Sequence, residues 1–428
     1  MNESTPCEQF AVTALDYLQR LPRAACPDSA TSVLPRAVFK STPEDFQVDE
    51  ILPFVADGEG HHLLLQIRKE YLNTADVQQA LSALAGCRQS DVGFSGLKDF
   101  HAVTTQWFSL PLTTGGDSIE RANRDMKEGR DIECQKWLGE LLQTRISGRA
   151  GSVEIVSMAR HQRKLRRGTH RRNRFKTILR GCNDRKNFEQ RLKFIEHSGF
   201  PNYFGLQRFG RGASNLKSFY KRWGSADLGA LANNADYRGW QAKGGRVRQS
   251  QQMAVSAMRS LVFNLYCRSR VREGSWLVAG AQEPLLLGDG NSFFLNDSGD
   301  PTVAERVASG QLATSGPLFG QIGASEPDLA SQLGKERDDV LYSLDADCPL
   351  SLTLGNLLGQ PDSSSNTGCI FSVLGLQHRR RALRRFVYDL NWRWLDDESA
   401  LELRFELSTG TYATALFQQL GELTDGSG

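Results

Sequence analysis

The sequence holds no apolar run approaching the ~18 residues that a membrane span requires. Its most apolar stretches are short, such as His61-His62-Leu63-Leu64-Leu65-Gln66-Ile67. The start, Met1-Asn2-Glu3-Ser4, has neither a basic n-region nor an apolar h-region, so a cytoplasmic location is expected rather than export. Eight cysteines stand at positions 7, 26, 87, 134, 182, 267, 348 and 369, and no two share C-x-x-C or C-x-x-x-x-C spacing. Scattered thiols of this kind read as reduced side chains, not as a disulfide frame or a zinc site. The phosphate loop G-x-x-x-x-G-K-[ST], the hydrolase elbow G-x-S-x-G and the H-x-E…P-C-x-x-C deaminase pattern are missing. No G-x-G-x-x-G lies between a predicted strand and a predicted helix. His61 and His62 are adjacent, and neighbours on a strand point to opposite faces, so the pair does not converge on a metal.

What is present is an ordinary globular composition. The chain has 428 residues, 39% hydrophobic and 24% charged. That suffices for a sizeable core and about two or three domains. The net charge is only +3, but its distribution is uneven. Residues 160–180 contain ten Lys or Arg and no Asp or Glu; removing those ten leaves −7. Arg379, Arg380, Arg381, Arg384 and Arg385 form a second basic cluster. A solvated charged face is one reading. A polyanion partner is the other, because such a run repels itself unless something neutralises it, and Arg matches phosphate with a planar fork.

Along the chain, residues 1–33 are poorly patterned and read as an N-terminal extension. Strand pieces are predicted at 38–40 and 46–50 around Pro43-Glu44-Asp45, at 61–68 and over 105–112. Thr74 is a candidate N-cap for a helix with Val77, Ala80, Leu81 and Leu84 on one face, ending near Gly86. Further helices are predicted to end at Gly199 and to span 251–271 and 413–420, with an alternating strand at 401–407. Pro361 to Asn366 reads as a loop. Composition shifts over about 226–384, towards Gly, Ser and Asp with few aromatics from 286 to 370. This predicts an α+β body interrupted by a different module.

Two segments carry candidate chemistry. Phe94-Ser95-Gly96-Leu97-Lys98-Asp99-Phe100-His101-Ala102-Val103-Thr104-Thr105-Gln106 places Asp99 at a strand end or loop. Functional carboxylates are commonly held there, and so are ordinary turn aspartates. Pro201-Asn202-Tyr203-Phe204-Gly205-Leu206-Gln207-Arg208-Phe209-Gly210 interleaves aromatics with Asn, Gln and Arg. Such a set can stack a base and bond its edge, or pack as core beside a turn.

These two segments resemble the TruD family of tRNA pseudouridine synthases. The resemblance extends in order along the chain. It takes in Pro43-Glu44-Asp45-Phe46, Asp57-Gly58-Glu59-Gly60, Arg68-Lys69 with Asn73-Thr74, and Arg160-His161-Gln162-Arg163-Lys164-Leu165-Arg166. It continues through Ser256-Ala257-Met258-Arg259-Ser260 with Phe263-Asn264, and Gly410-Thr411-Tyr412-Ala413-Thr414. It runs from about 36 to 420 and weakens at 273–375.

The resemblance implies isomerisation of uridine to pseudouridine in tRNA, at position 13 of the D arm, with no metal and no organic cofactor. It implies a pseudouridine synthase core with a mixed, mostly antiparallel sheet and flanking helices, over 34–225 and 385–424. A TRUD α/β domain would be inserted at 226–384. Asp99 falls on the catalytic aspartate, as nucleophile or as base. Asn202 and Phe204 fall on positions that hold and stack the base, and Phe46 and Tyr412 on other pocket aromatics. Lys40, Glu44 and Lys98 fall on polar positions near the site, and Arg208 joins the substrate-binding set; a direct Lys98–Asp99 pair is not expected, since strand neighbours diverge. Arg160, Arg163, Lys164, Arg166, Arg167, Arg171, Arg172 and Arg174 would grip the RNA backbone. Phe100, His61 and Gln418 depart from the family's usual basic residue, Glu and Arg. The expected partner is tRNA, with no membrane, and a monomer is favoured. A non-catalytic RNA-binding protein or tRNA folding chaperone on the same scaffold is the alternative, which would not need Asp99. A methyltransferase would need a nucleotide-cofactor loop that the sequence lacks.

Overall fold

Alternating apolar residues on the strand His62–Glu70 put Leu63, Leu65 and Ile67 into one core, packed with Val77, Leu81 and Leu84 of the helix Thr74–Ala85 and Leu138 and Leu142 of the helix Asp131–Ile146. The structure is a computed structural model. It describes residues 5–24, 26, 33–112, 116–146, 150–226, 228, 249–288, 290, 292–296, 300–323, 329–345, 348–359, 369–395 and 399–427. The chain divides into two compact units: Thr31–Leu192 with Val387–Gly410 and Leu420–Gly428, and Met1–Ala30 with Lys193–Phe386 and Thr411–Gln419.

The first unit is built on an eight-stranded sheet. Its strands are β2 (Phe46–Ile51), β3 (His62–Glu70), β4 (Gly93–Phe94), β5 (Val103–Pro111), β6 (Ser152–His161), β7 (Arg172–Leu179), β8 (Tyr388–Trp394) and β9 (Leu401–Ser408), while β1 (Arg36–Phe39) lies outside it. The order is β8-β9-β7-β2-β5-β3-β6, with β4 added on β5. Only β2 and β5 run parallel within it; the other pairs are antiparallel. β1 pairs in parallel with β10 (Glu422–Asp425). The expected mixed, mostly antiparallel sheet with flanking helices is therefore present. The parallel pair also has a positional consequence. It sets Gln47 against Val103, so the turn before β2 and the loop before β5 lie at the same end of the sheet.

The second unit surrounds the long helix Gln249–Arg272, whose Val255, Met258, Val262 and Leu265 are buried as their spacing predicts. A four-stranded sheet runs in the order Phe293–Leu295, Pro284–Leu287, Leu312–Leu318, Arg379–Ala382. The reading of 1–33 as an unpatterned extension is corrected here. Pro6–Gln19 is a helix opened by a Thr5–Glu8 capping box with Pro at its start, a favoured arrangement. It buries Phe10, Ala14 and Leu18, its Phe10 ring lies 4.8 Å from that of Tyr220, and Tyr17 Oη donates to Asp345 Oδ2 at 2.7 Å. The composition shift at 226 falls inside this unit, because Phe200–Pro201 pairs with Arg384–Arg385 and the helix Ser214–Trp223 packs on Gln249–Arg272. The loop read at 361–366 lies outside the described residues. Among the described residues, no helix is long and apolar enough to cross a membrane.

Candidate active site

Asp99 sits in the irregular stretch between β4 and β5, with its side chain half exposed. Lys40, in the turn before β2, reaches it across the shared end of the sheet: Lys40 Nζ lies 2.7 Å from Asp99 Oδ2. The lysine is 12% exposed along its side chain, and its Nζ stands 4.4 Å from the centre of the Phe46 ring. That cation–π contact fills the coordination left open by a single carboxylate. Lys40 adopts φ 59°, a conformation disfavoured for residues with a Cβ and found at functional sites where surrounding structure enforces it.

Beneath Asp99 the loop is pinned at five places. Lys69, 1% exposed, donates to Asp99 O at 3.0 Å and to Leu72 O at 2.7 Å. The Lys98 amide donates to Thr74 Oγ1, which donates to Gln106 Oε1, and Gln106 Nε2 donates to Gly96 O. Lys98 Nζ pairs with buried Glu50 at 2.5 Å, while the cation on Asp99 is Lys40. Ser95 Oγ accepts from the His170 amide at 2.6 Å and meets His170 Nδ1 at 2.5 Å, while burial lowers the His170 pKa and favours the neutral ring. The fifth tie is Gly168 N–H donating to Ser95 O. Gly96 sits in a tight space: a Cβ there would stand 3.1 Å from His170 Cε1 and 3.3 Å from Glu50 Oε1 and Lys98 Nζ, so these neighbours would have to give by a few tenths of an ångström. Thr74 is thus not the N-cap; Asn73 caps the helix, which frees the Thr74 hydroxyl for the loop. Glu44 is exposed, and a hydrogen bond from Thr42 lowers its pKa.

Burial pulls the Lys69 pKa from 10.5 down to about 8, against a smaller attraction from Asp99. Between those two values the unfolded chain holds a proton that the folded chain has released. Folding stability contributed by this group therefore rises with pH across that window. We expect the native chain to gain up to about 3 kcal/mol over Lys69→Met between pH 7.5 and 10.5. Denaturant titrations at several pH values check this; parallel stability curves for the two chains contradict it.

The second cluster lies in the other unit. Asn202 is 1% exposed, and both ends of its amide are engaged: Nδ2 donates to Ala382 O at 2.8 Å, and Oδ1 accepts from Arg381 Nη2 at 2.7 Å. Arg381 in turn lies 4.0 Å from the Phe204 ring centre. Phe263 and Tyr412 meet Phe204 edge-on at 5.5 and 5.8 Å, and the Asn264 amide clamps the Phe204 backbone through both its N–H and its carbonyl. Arg208 is held by the hydroxyls of Ser256 and Ser260. Gln418 bonds Leu21 O and accepts from Arg23, so it serves the N-terminal segment.

The cationic run divides into anchored and open members. Arg172 and Arg174 pair with Glu406 on β9, and Arg180 makes two 2.7 Å bonds to buried Asp45. Arg160 donates to Gly60 O, Lys164 to Ser90 O, and Arg167 stacks 3.9 Å from the Phe94 ring centre. Part of the run is therefore neutralised within the fold. Arg163, Arg166 and Arg171 are exposed, with no carboxylate partner among the described residues. The second basic cluster is corrected more sharply. Arg380 pairs with Glu336, both side chains fully buried, and Arg384 is buried against Val307 O. These two are interior residues, not phosphate ligands.

Sequence reading passed over Lys69, Gln106, Asn264 and Arg381 as actors. The first three lie within the strings that carry the family resemblance, where an unexplained polar residue beside a site residue was the available signal. Arg381 was hidden in a basic run.

A family model described as tRNA pseudouridine synthase D (TruD) matches residues 36–218. A tRNA pseudouridine synthase D of Xanthomonas euvesicatoria pv. vesicatoria is 36% identical over 409 residues, covering 93% of this chain and 96% of that protein. That of Methylococcus capsulatus is 35% identical over 402 residues, covering 92% and 94%. A crystal structure from Methanosarcina mazei, titled as a candidate tRNA pseudouridine synthase D (TruD), superposes with a TM-score of 0.55 at 17% identity, covering 92% of this chain and 95% of that one. At that identity the likeness shows a shared fold. Together, these similarities over nearly the whole length show that the chain belongs to the tRNA pseudouridine synthase D (TruD) family.

Proposed function

We propose that this chain isomerises uridine to pseudouridine at position 13 in the D arm of tRNA, with Asp99 as the catalytic carboxylate. The observation that carries this is the Lys40–Asp99 pair at 2.7 Å, on a loop fixed by five separate ties. Isomerisation breaks the bond from C1′ to N1, turns the uracil and joins C5 to C1′. An ionised carboxylate can attack C1′ or remove a sugar proton, and either role needs it fixed to within a fraction of an ångström. Lys40 keeps the negative charge aimed, and the half-exposed carboxylate leaves room for substrate.

In the other unit Phe204 supplies a ring for stacking the uracil, flanked by Tyr412. Asn202, buried between Ala382 O and Arg381, holds the Arg381 guanidinium over that ring. Extruding a nucleotide costs a few kcal/mol, which stacking at about 1–3 kcal/mol per base offsets.

Backbone phosphates fall to Arg163, Arg166 and Arg171. Their loop is bonded to Ser95 through Gly168 and His170, so it is tied to the loop of Asp99. We expect the triple replacement of these three by Gln to lower the slope of log affinity against log salt by roughly 2–3, near one per lost phosphate contact. An unchanged slope in filter binding over a salt series contradicts that assignment. The reaction itself is tested by mapping pseudouridine in tRNA after incubation with the native chain and with Asp99→Asn. Modification at position 13 by the native chain alone supports the reading, and modification by both removes Asp99 from the mechanism.

A further inference from the structure

Three rings meet beside Asp99. Tyr71, in the turn after β3, lies 6.0 Å from Phe100 and 5.7 Å from His101, and Phe100 lies 5.0 Å from His101. The interplanar angles are 66°, 86° and 76°, so every contact is edge-to-face and at least half of the ring faces are left uncovered by the cluster itself. Phe100 is 39% exposed and His101 is exposed, and on the other side of Asp99 Leu97 is 68% exposed. A solvent-facing aromatic group of this size calls for a reason.

Two features argue against accident. Tyr71 adopts φ 50°, where glycine or asparagine is the low-strain residue, yet a large ring stands there. The cluster is also locked to the reacting carboxylate. The Lys69 amine bonds Leu72 O, next to Tyr71, and Asp99 O, next to Phe100, so one buried group fixes both parts of the cluster relative to Asp99.

We propose that Tyr71, Phe100 and His101 form a stacking platform for a nucleobase adjoining the target uridine in the substrate RNA. The inference rests on the reaction proposed above. Extruding a uridine strips its neighbours of a stacking partner, and an aromatic face one residue from the catalytic carboxylate replaces it. Phe100 presents a π-face and no donor to a phosphate oxygen, which fits a base; Tyr71 and His101 also carry donors, and an abasic nucleotide, which removes the base and keeps the phosphate, separates the two contacts. Because stacking reads no base edge, the platform tolerates any base at that position.

The test is a cycle of protein and RNA changes. Native chain, Phe100→Leu and Phe100→Tyr are assayed on tRNA transcripts with an abasic nucleotide on either side of the target uridine, by affinity and by kcat/KM. Phe100→Leu keeps an apolar side chain without a π-face. At one flanking position, the abasic RNA is expected to lose roughly tenfold or more with the native chain and with Phe100→Tyr. With Phe100→Leu the same RNA is expected to lose little further, because the contact is already gone. Equal losses for native and Phe100→Leu at both positions overturn the platform while leaving turnover intact. If the native chain binds unsubstituted tRNA without turning it over, the proposed reaction fails, and the same cycle read by affinity still decides the platform.

Discussion

Asp99→Asn is expected to bind tRNA within a few-fold of the native affinity and to lose turnover by about 10³-fold or more. Asn is nearly isosteric, so the five ties to the loop backbone and to its neighbours persist, including Lys69 to Asp99 O, which is a main-chain carbonyl. What disappears is the carboxylate that meets Lys40 Nζ at 2.7 Å, and with it the proposed nucleophile or base. Groups acting directly on the reacting atoms contribute about 10²–10⁴-fold as proton-transfer catalysts and more as covalent ones. In the proposed reading, affinity rests on the exposed arginines and the aromatic surfaces, which this substitution leaves in place. Single-turnover rates and filter binding on the same transcripts separate the two quantities. A variant that fails to bind, or one that retains a tenth of the rate, contradicts the assignment.

Glu336→Ala is expected to lower folding stability by about 3–5 kcal/mol, the penalty for leaving a buried charge without its partner. Glu336 makes two bonds to the Arg380 guanidinium, at 2.6 and 2.8 Å, with both side chains fully buried. Arg380 also donates to Ser315, so it cannot swing out to water without breaking the strand pairing it lies in. The same strand carries Arg381 and Ala382, the two partners of Asn202, so activity should fall together with stability. Removing both charges, as Glu336→Leu with Arg380→Met, should recover most of the loss, because the desolvation penalty goes with the pair. Denaturant midpoints at constant slope check this; a midpoint shift for Glu336→Ala under about 1 kcal/mol contradicts it.

Where one periodicity dominated, the sequence was easy to read. The helix Thr74–Ala85, the strand Leu401–Ser408 and the helix Ala413–Leu420 match their apolar patterns to within a residue or two. The helix Pro6–Gln19 lies in the stretch that reads as poorly patterned; Pro6 stands in its first turn, where a proline starts a helix rather than ending it. The basic runs were misread in part for a different reason. Composition counts charges along the chain, whereas Glu336 and Glu406 reach their arginines from segments tens to hundreds of residues away. The site shows the same limit. Asp99 stood out through the strings that resemble a known family. The resemblance puts Lys40 near the site, but its direct pairing with Asp99 follows from the parallel β2–β5 pair, which no local pattern encodes.

The most direct test of the account uses tRNA transcribed with uridine tritiated at C5, with a matched transcript carrying cytidine at position 13. Joining C5 to C1′ displaces the tritium into water, so release reports the new bond itself. Release equivalent to one uridine per tRNA is expected from the first transcript with the native chain, none from the second, and none from either with Asp99→Asn. Equal release from both transcripts would contradict the assigned position. Absence of release by a native chain that binds the tRNA would contradict the reaction.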